Sequence, residues 1–163
     1  MKRLLIVWHS RTGGARQMAE AAAAAARTAI DVEVALRAAA DARAPDVLAA
    51  EGYIFAAPEN LASVSGPMKD FFDRIYYPVL DRIQGRPYAL LVCAGSDGAG
   101  TVRQVERIAT GLRLRAVAPA LVVVTGAQAP EAILAPKTIS ASDLERCSEI
   151  GAALAQGIAQ GIF

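Results

Sequence analysis

LLIVWHSRTGGARQMA, residues Leu4 to Ala19, is the stretch whose reading decides the fold. Leu4–Trp8 is a short apolar run rich in branched side chains, the pattern of a strand buried on both faces. It breaks at His9-Ser10-Arg11-Thr12-Gly13-Gly14, where hydroxyls and a glycine pair predict a tight turn. Strong helix formers follow at once from Ala15 to Ala26. The first amides of such a helix lack intrahelical partners, and the helix dipole puts partial positive charge there. A phosphate suits that end, with Ser10 and Thr12 as hydroxyl donors and Gly13-Gly14 letting the backbone close around an anion. The same residues also suit a plain capped helix with Ser10 or Thr12 as N-cap. Neither G-x-x-x-x-G-K-[ST] nor G-x-G-x-x-G is present, which excludes those two nucleotide loops.

Outward from this stretch, strand and helix patterns alternate. Ala15–Ala29 places Met18, Ala22, Ala26 and Ala29 on one face, and such an alanine surface lets a helix lie close to a sheet. Asp31–Arg37 alternates Val32, Val34 and Leu36 with polar residues, predicting a half-exposed second strand near an edge. Pro45-Asp46 starts a short helix running to Ala50. Gly52–Ala57 reads as a central third strand ending in a long loop of turn formers, Pro58–Pro67. Met68, Phe71, Phe72 and Ile75 then recur at helical spacing until Pro78 ends or kinks the helix. Tyr88–Ala94 is the fourth strand, followed by the flexible Gly95–Gly100 and an amphipathic helix over Thr101–Leu112. Ala120–Thr125 supplies a fifth strand, and Gly126–Lys137 reads as loop, a lid or a contact surface. Ser142 and Glu145 have capping-box spacing before a last helix packed on Leu144, Cys147, Gly151, Leu154 and Ile158.

Five strands alternating with five helices predict a doubly wound α/β fold, a parallel five-stranded sheet between two helical layers. Ligands bind such sheets beyond the carboxyl ends of the strands, where strand order reverses. In the order 2-1-3-4-5, the loops after the first, third and fourth strands open onto one crevice.

At 163 residues the chain suffices for one domain with a full core and is short for two ordinary ones. Seventeen basic and sixteen acidic residues leave a formal charge of +1, so no broad footprint for nucleic acid is expected. The apolar block Ala21–Ala26 falls far short of a bilayer span, so no membrane partner is expected either. Met1-Lys2-Arg3 before Leu4–Trp8 imitates a leader, but the apolar region is too short, and a cytoplasmic protein is expected. Cys93 and Cys147 form no metal or redox spacing and read as reduced, buried thiols.

Three stretches carry a resemblance to the flavodoxin-like FMN-binding family, and within it to the NAD(P)H-dependent FMN and quinone reductases more than to the small electron-carrier flavodoxins. HSRTGGARQMAEA is similar to the family's phosphate loop. GYIFAAPENLASVSGPMKDFFDR resembles its strand, P-[ET], short loop and S-G-x-[ML]-K-x-F-x-D-R, the most specific of the three. VCAGSDGAGT is like its Gly-rich loop after the fourth strand. Ala15 departs from the Thr that family members often carry there, and Arg16 stands beside it as a compensating cation.

The resemblance implies FMN as cofactor and NADH or NADPH as reductant. Ser10, Arg11, Thr12, Gly13, Gly14, Ala15 and Arg16 would surround the FMN phosphate. Pro58, Glu59, Asn60 and Leu61 would run beside the isoalloxazine ring, and Ser96, Asp97 and Gly98 would close its other side. No protein side chain is expected to be catalytic, because the flavin carries the chemistry. The family's electron carriers usually stack aromatics on the ring from these loops, and here neither loop has one. A ring face would stay open for a nicotinamide or a quinone, which favours an enzyme with a small-molecule substrate. Family habit also implies a homodimer or tetramer, with Tyr76 and Tyr77 placed to reach a neighbouring subunit.

Single residues carry paired readings. His9, the only histidine, reads as a neutral loop residue near the ligand rather than a catalytic acid. Glu59 fits either a polar group near the ring or a solvated carboxylate. Trp8 reads as core rather than flavin contact, Phe71 and Phe72 as core or dimer contact rather than a cofactor box, and Lys69 and Arg74 as a solvent face.

Overall fold

The computed structural model describes residues 1–163. β1 (Lys2–Trp8) lies between β2 (Val32–Ala38) and β3 (Gly52–Asn60), parallel to both. The far end of β3 turns back on β4 (Ser63–Val64) as an antiparallel hairpin. Along its length β3 pairs in parallel with β5 (Pro87–Ala94). The outer side of β5 carries two short parallel segments, β6 (Arg115–Ala116) and β7 (Leu121–Val124). The sheet therefore has the expected order, with the fifth strand broken in two. Between the two pairings, Ala89 and Leu90 of β5 face the four residues Val117–Ala120, and Pro119 cannot donate to a ladder.

Helices cover both faces. On one side lie α1 (Gly14–Ala26) and α6 (Ala141–Gln160), over Leu4, Ile6, Ile54, Leu91 and Val123. They meet backbone to backbone, since a Cβ at Gly151 would collide with the carbonyl of Ala22. The alanines that make the sequence look monotonous are what permits this approach. The other face holds α2 (Ala44–Leu48), α3 (Gly66–Val79) and α4 (Ala99–Gly111) over an aromatic core. Phe55 stands edge-on to Phe72 with ring centroids 5.0 Å apart, and Phe71, Tyr53 and Tyr88 surround them. Burying each phenylalanine contributes about 2–3 kcal/mol.

Several expectations need correction. The third strand runs three residues past Ala57, because Glu59 and Asn60 pair with β4 instead of starting a loop. Gly126–Lys137 is not all loop: Pro130–Leu134 forms a short helix, α5, with Pro130 at its first position and Glu131 in its first turn. The N-cap of α6 is Ser140, whose Oγ accepts from the Asp143 amide at 3.2 Å, two residues before the Ser142–Glu145 pair. Arg74 is not simply a solvent residue. Its guanidinium donates to the carbonyls of Ala39 (2.6 Å) and Ala42 (2.9 Å), fastening α3 to the chain leaving β2. Trp8 is half-buried rather than core, with Arg16 over its ring at 5.3 Å. Both cysteines are free and buried, as expected.

Candidate functional site

The loop after β1 turns into α1 through Gly13, whose φ of 95° is a left-handed conformation that glycine adopts without strain. Ser10 Oγ accepts from the Gly13 amide at 3.0 Å and so shapes the turn. No acceptor in the chain takes the amides of Arg11, Thr12, Gly14, Ala15 or Arg16, and no carboxylate stands in the first turn. Gly14 is fixed by crowding: a Cβ there would run into Cys93 Sγ at the end of β5. The head of α1 is therefore seated on β5 with its donors pointing outward, an arrangement that binds an anion. The Arg16 guanidinium does not join them, because it pairs with Glu20 at 2.7 Å.

The β3–β4 hairpin forms the next wall. Its tip, Leu61-Ala62, has φ of 51° and 61°, a left-handed pair that side chains resist. Leu61 is fully exposed. The hairpin is locked onto α4 by three contacts. Glu59 accepts from the amides of Gly98 (2.9 Å) and Thr101 (3.0 Å) at the head of α4. Gln104 Oε1 accepts from Ser63 Oγ (2.7 Å) and the Val64 amide (2.8 Å). The Ala62 carbonyl fills the place of the missing Cβ of Gly100. Burial pushes the Glu59 carboxyl up, but the amides of Thr101, Gly98 and Gly100 outweigh it and hold the group below its usual range. Glu59 is thus a charged strut between two walls.

The segment after β7 supplies a wall that sequence reasoning left open. The amides of Thr125 and Gly126 extend the ladder to Ala94 (2.8 Å) and Gly95 (2.9 Å), carrying the chain over the rim to α5. Lys137 returns it to the first loop, donating its amide to the Thr12 carbonyl at 2.8 Å.

These parts enclose one cleft of about 620 Å³ at the carboxyl ends of β1, β3, β5 and β7. Of the residues singled out from sequence, Arg11, Thr12, Pro58, Glu59, Asn60, Leu61 and Ser96 line it. Ser10, Gly13, Gly14, Ala15 and Arg16 belong to the turn and helix head beside it. Asp97 and Gly98 form the head of α4: Asp97 Oδ1 accepts from the Ala99 amide at 3.3 Å, and the Gly98 amide is held by Glu59. Sequence reasoning missed Cys93, Thr125, Ile133, Leu134 and Lys137 as lining residues. Only Pro130-Glu131, the opening of a short helix, signalled structure in that segment.

The titratable groups nearby are quiet. Burial and then the charge of Arg11 lower the His9 pKa, and His9 Nδ1 shares a 2.8 Å hydrogen bond with the buried Ser65 hydroxyl. A neutral imidazole follows near neutral pH. Burial raises the Cys93 thiol against the opposing charge of Lys137, so that thiol is neutral near neutral pH. No group of three or more His, Cys, Asp or Glu could hold a metal ion, and no helix is long and apolar enough to cross a membrane.

Comparison with known proteins agrees with this geometry. Residues 1–129 match the family described as NADPH-dependent FMN reductase. A flavodoxin from Aquifex aeolicus (strain VF5) is 35% identical over 100 residues, 61% of this chain and 52% of that protein. The chain thus spans about half the length of that curated relative. Among solved structures, an archaeal flavodoxin superposes with a TM-score of 0.80 at 18% identity, covering 96% of this chain and 99% of its own. The flavodoxin, WrbA-like protein from Agrobacterium tumefaciens gives 0.75 at 21% identity, covering 98% and 99%. At those identities the structures speak for the fold alone.

Proposed function

The chain belongs to the NADPH-dependent FMN reductase family, and from that membership we propose that it is an FMN-dependent NAD(P)H oxidoreductase reducing quinones or similar planar acceptors. One observation carries this reading: the cleft has bare helix-head amides at one end and, beyond them, a mixed lining in which Leu61, Ala62, Ile133 and Leu134 are apolar and Asn60, Ser96, Thr125 and Gln128 polar. The donor set suits FMN, since unpartnered amides and a glycine pair match a phosphate dianion. When bound, FMN supplies the two-electron chemistry that carries reducing equivalents from NADPH or NADH to the acceptor.

In this reading Ser10, Arg11, Thr12, Gly13, Gly14, Ala15 and Arg16 would surround the phosphate, mostly through their amides. The Gly13 amide is already taken by Ser10 Oγ, which leaves the Ser10 hydroxyl hydrogen free to donate. Pro58, Asn60 and Leu61 would flank the ring on one side, and Ser96, Asp97 and Gly98 would bound the other. Glu59 would act at one remove, keeping the hairpin and the head of α4 at a fixed spacing. His9, neutral and bonded to Ser65, would position the first turn rather than move a proton. Tyr77, exposed on α3, is offered to a second subunit of a homodimer or tetramer.

The likeness to flavodoxins favours a second reading, an electron carrier with no substrate of its own. A formal charge of +1 weighs against it, because such carriers use acidic faces to steer docking. The test is steady-state oxidation of NADPH and NADH by the purified, FMN-loaded protein with a series of quinones. Sustained consumption over many turnovers is expected. Failure with every quinone would remove the enzyme reading.

A further inference from the structure

We propose that α5 is the wall against which an uncharged, planar acceptor is held, and that Lys137 and Gln17 are the positioning residues that set it there. The proposal rests on the oxidoreductase reading above and deepens it by naming the wall that holds the acceptor and the residues that set that wall.

A five-residue helix with every residue exposed does not hold together on its own in water. Lys137 Nζ supplies what is missing, donating to the carbonyls of Ala132 (2.8 Å), Ile133 (2.9 Å) and Ala135 (2.6 Å). The Lys137 backbone is tied in turn to the anion loop. Its amide donates to the Thr12 carbonyl at 2.8 Å, and its carbonyl accepts from Gln17 Nε2 at 2.7 Å. Gln17 Nε2 also donates to the Gly13 carbonyl (2.9 Å), while Gln17 Oε1 accepts from the Ile139 amide (3.1 Å). Two side chains therefore fix α5 to the loop at the head of α1.

What α5 brings to the cleft is apolar. Ile133 and Leu134 are 49% and 72% exposed, yet both line the cleft that Leu61 and Ala62 line from the hairpin. Charges along these walls are already engaged: Glu59 by amides and Lys137 by carbonyls. Arg11 and Lys137 are the cations lining the cleft, and neither has an ion pair: Lys137 is spent on carbonyls, while Arg11 sits at the anion end. An uncharged ring, such as a quinone, loses water-exposed apolar area between these walls. A small, strongly hydrated acceptor gains no such apolar contact.

The test uses FMN-loaded protein with menadione as the planar probe and ferricyanide as a small charged one. Without reductant, hydrogen exchange is followed at the Ile133 and Ala135 amides, which donate within α5 to Ala129 and Glu131. Menadione should slow both in the wild type, lose that effect in Lys137→Met, and regain part of it in Lys137→Arg. With NADPH, the KM for menadione relative to that for ferricyanide should rise about tenfold in Lys137→Met and in Ile133→Ser/Leu134→Ser. Exchange indifferent to menadione in the wild type, or equally slowed in Lys137→Met, overturns the proposal. A wild type that oxidises no NADPH with either acceptor removes the proposed function instead, and the exchange readout then decides the wall by itself.

Discussion

The carbonyl oxygen of Ala62 occupies the space where Gly100 would carry a Cβ, so the tip of the hairpin and the head of α4 touch through backbone alone. The contacts that keep these two walls of the cleft at a fixed spacing converge there: Glu59 on the amides of Gly98 and Thr101, and Gln104 on Ser63 and Val64.

Gly100→Ala should push the hairpin off α4. Thermal or denaturant unfolding should show a loss of about 1–3 kcal/mol, the usual cost of forcing a group into filled space. FMN affinity, read by fluorescence quenching, should fall as well. A variant as stable and as tight as wild type would show that the two walls are not coupled here.

Glu59→Ala removes a charged acceptor from two helix-head amides and should cost about 1–3 kcal/mol. Because the folded-state carboxyl titrates below its ordinary value, its contribution is complete above the unfolded-state value and disappears as pH falls through the folded one. Unfolding free energies of wild type and variant should therefore converge in acid. A gap that stays constant with pH would contradict the strut.

Gly14→Ala drives a methyl group into Cys93 Sγ and should destabilise by about 1–3 kcal/mol while weakening anion binding at the head of α1. Cys93→Ala makes room, so the double variant should recover part of the loss. Strict additivity in that cycle would mean that the thiol is not what the methyl meets.

Ala62→Gly relieves one of the two left-handed residues at the hairpin tip and should stabilise the fold by up to about 1 kcal/mol. If the strained tip serves to hold Leu61 over the cleft, the same change should raise the KM for a planar acceptor. A gain in stability without any kinetic penalty would show the strain to be idle.

His9→Gln should flatten one limb of the stability profile. The folded imidazole titrates below its ordinary value, so wild-type stability is lost as pH falls below about 6.5 and the unfolded chain takes the proton first. The difference between wild type and His9→Gln should shrink over that interval and then level off. A difference independent of pH would mean that folding leaves the titration of His9 unmoved.

The strand and helix order was legible because each buried strand is a continuous apolar run and each helix has a clear face. The cleft was legible through loops whose chemistry is local: Ser10 to Gly14, and Pro58 to Leu61. What escaped depends on long-range partners. Nothing around Glu59 says that its donors lie at Gly98 and Thr101, on the far side of α3 in the chain. Lys137 reads as a loop cation until its three carbonyls are seen, and nothing local says that the Arg16 guanidinium stands paired with Glu20. Gly14 and Gly100 could be marked as turn formers, but the sulfur and the oxygen that require them come from β5 and the hairpin.

The two faces of the sheet should age differently under mutation. Between α1 and α6, main chain rests on main chain at Ala22 and Gly151, and alanines have no torsions with which to make way for a newcomer. Under α3 and α4, Phe55, Phe71 and Phe72 can swing to admit or release a methylene. Random variation should therefore be filtered hardest across the alanine seam, the side of the molecule that at first sight looks least informative.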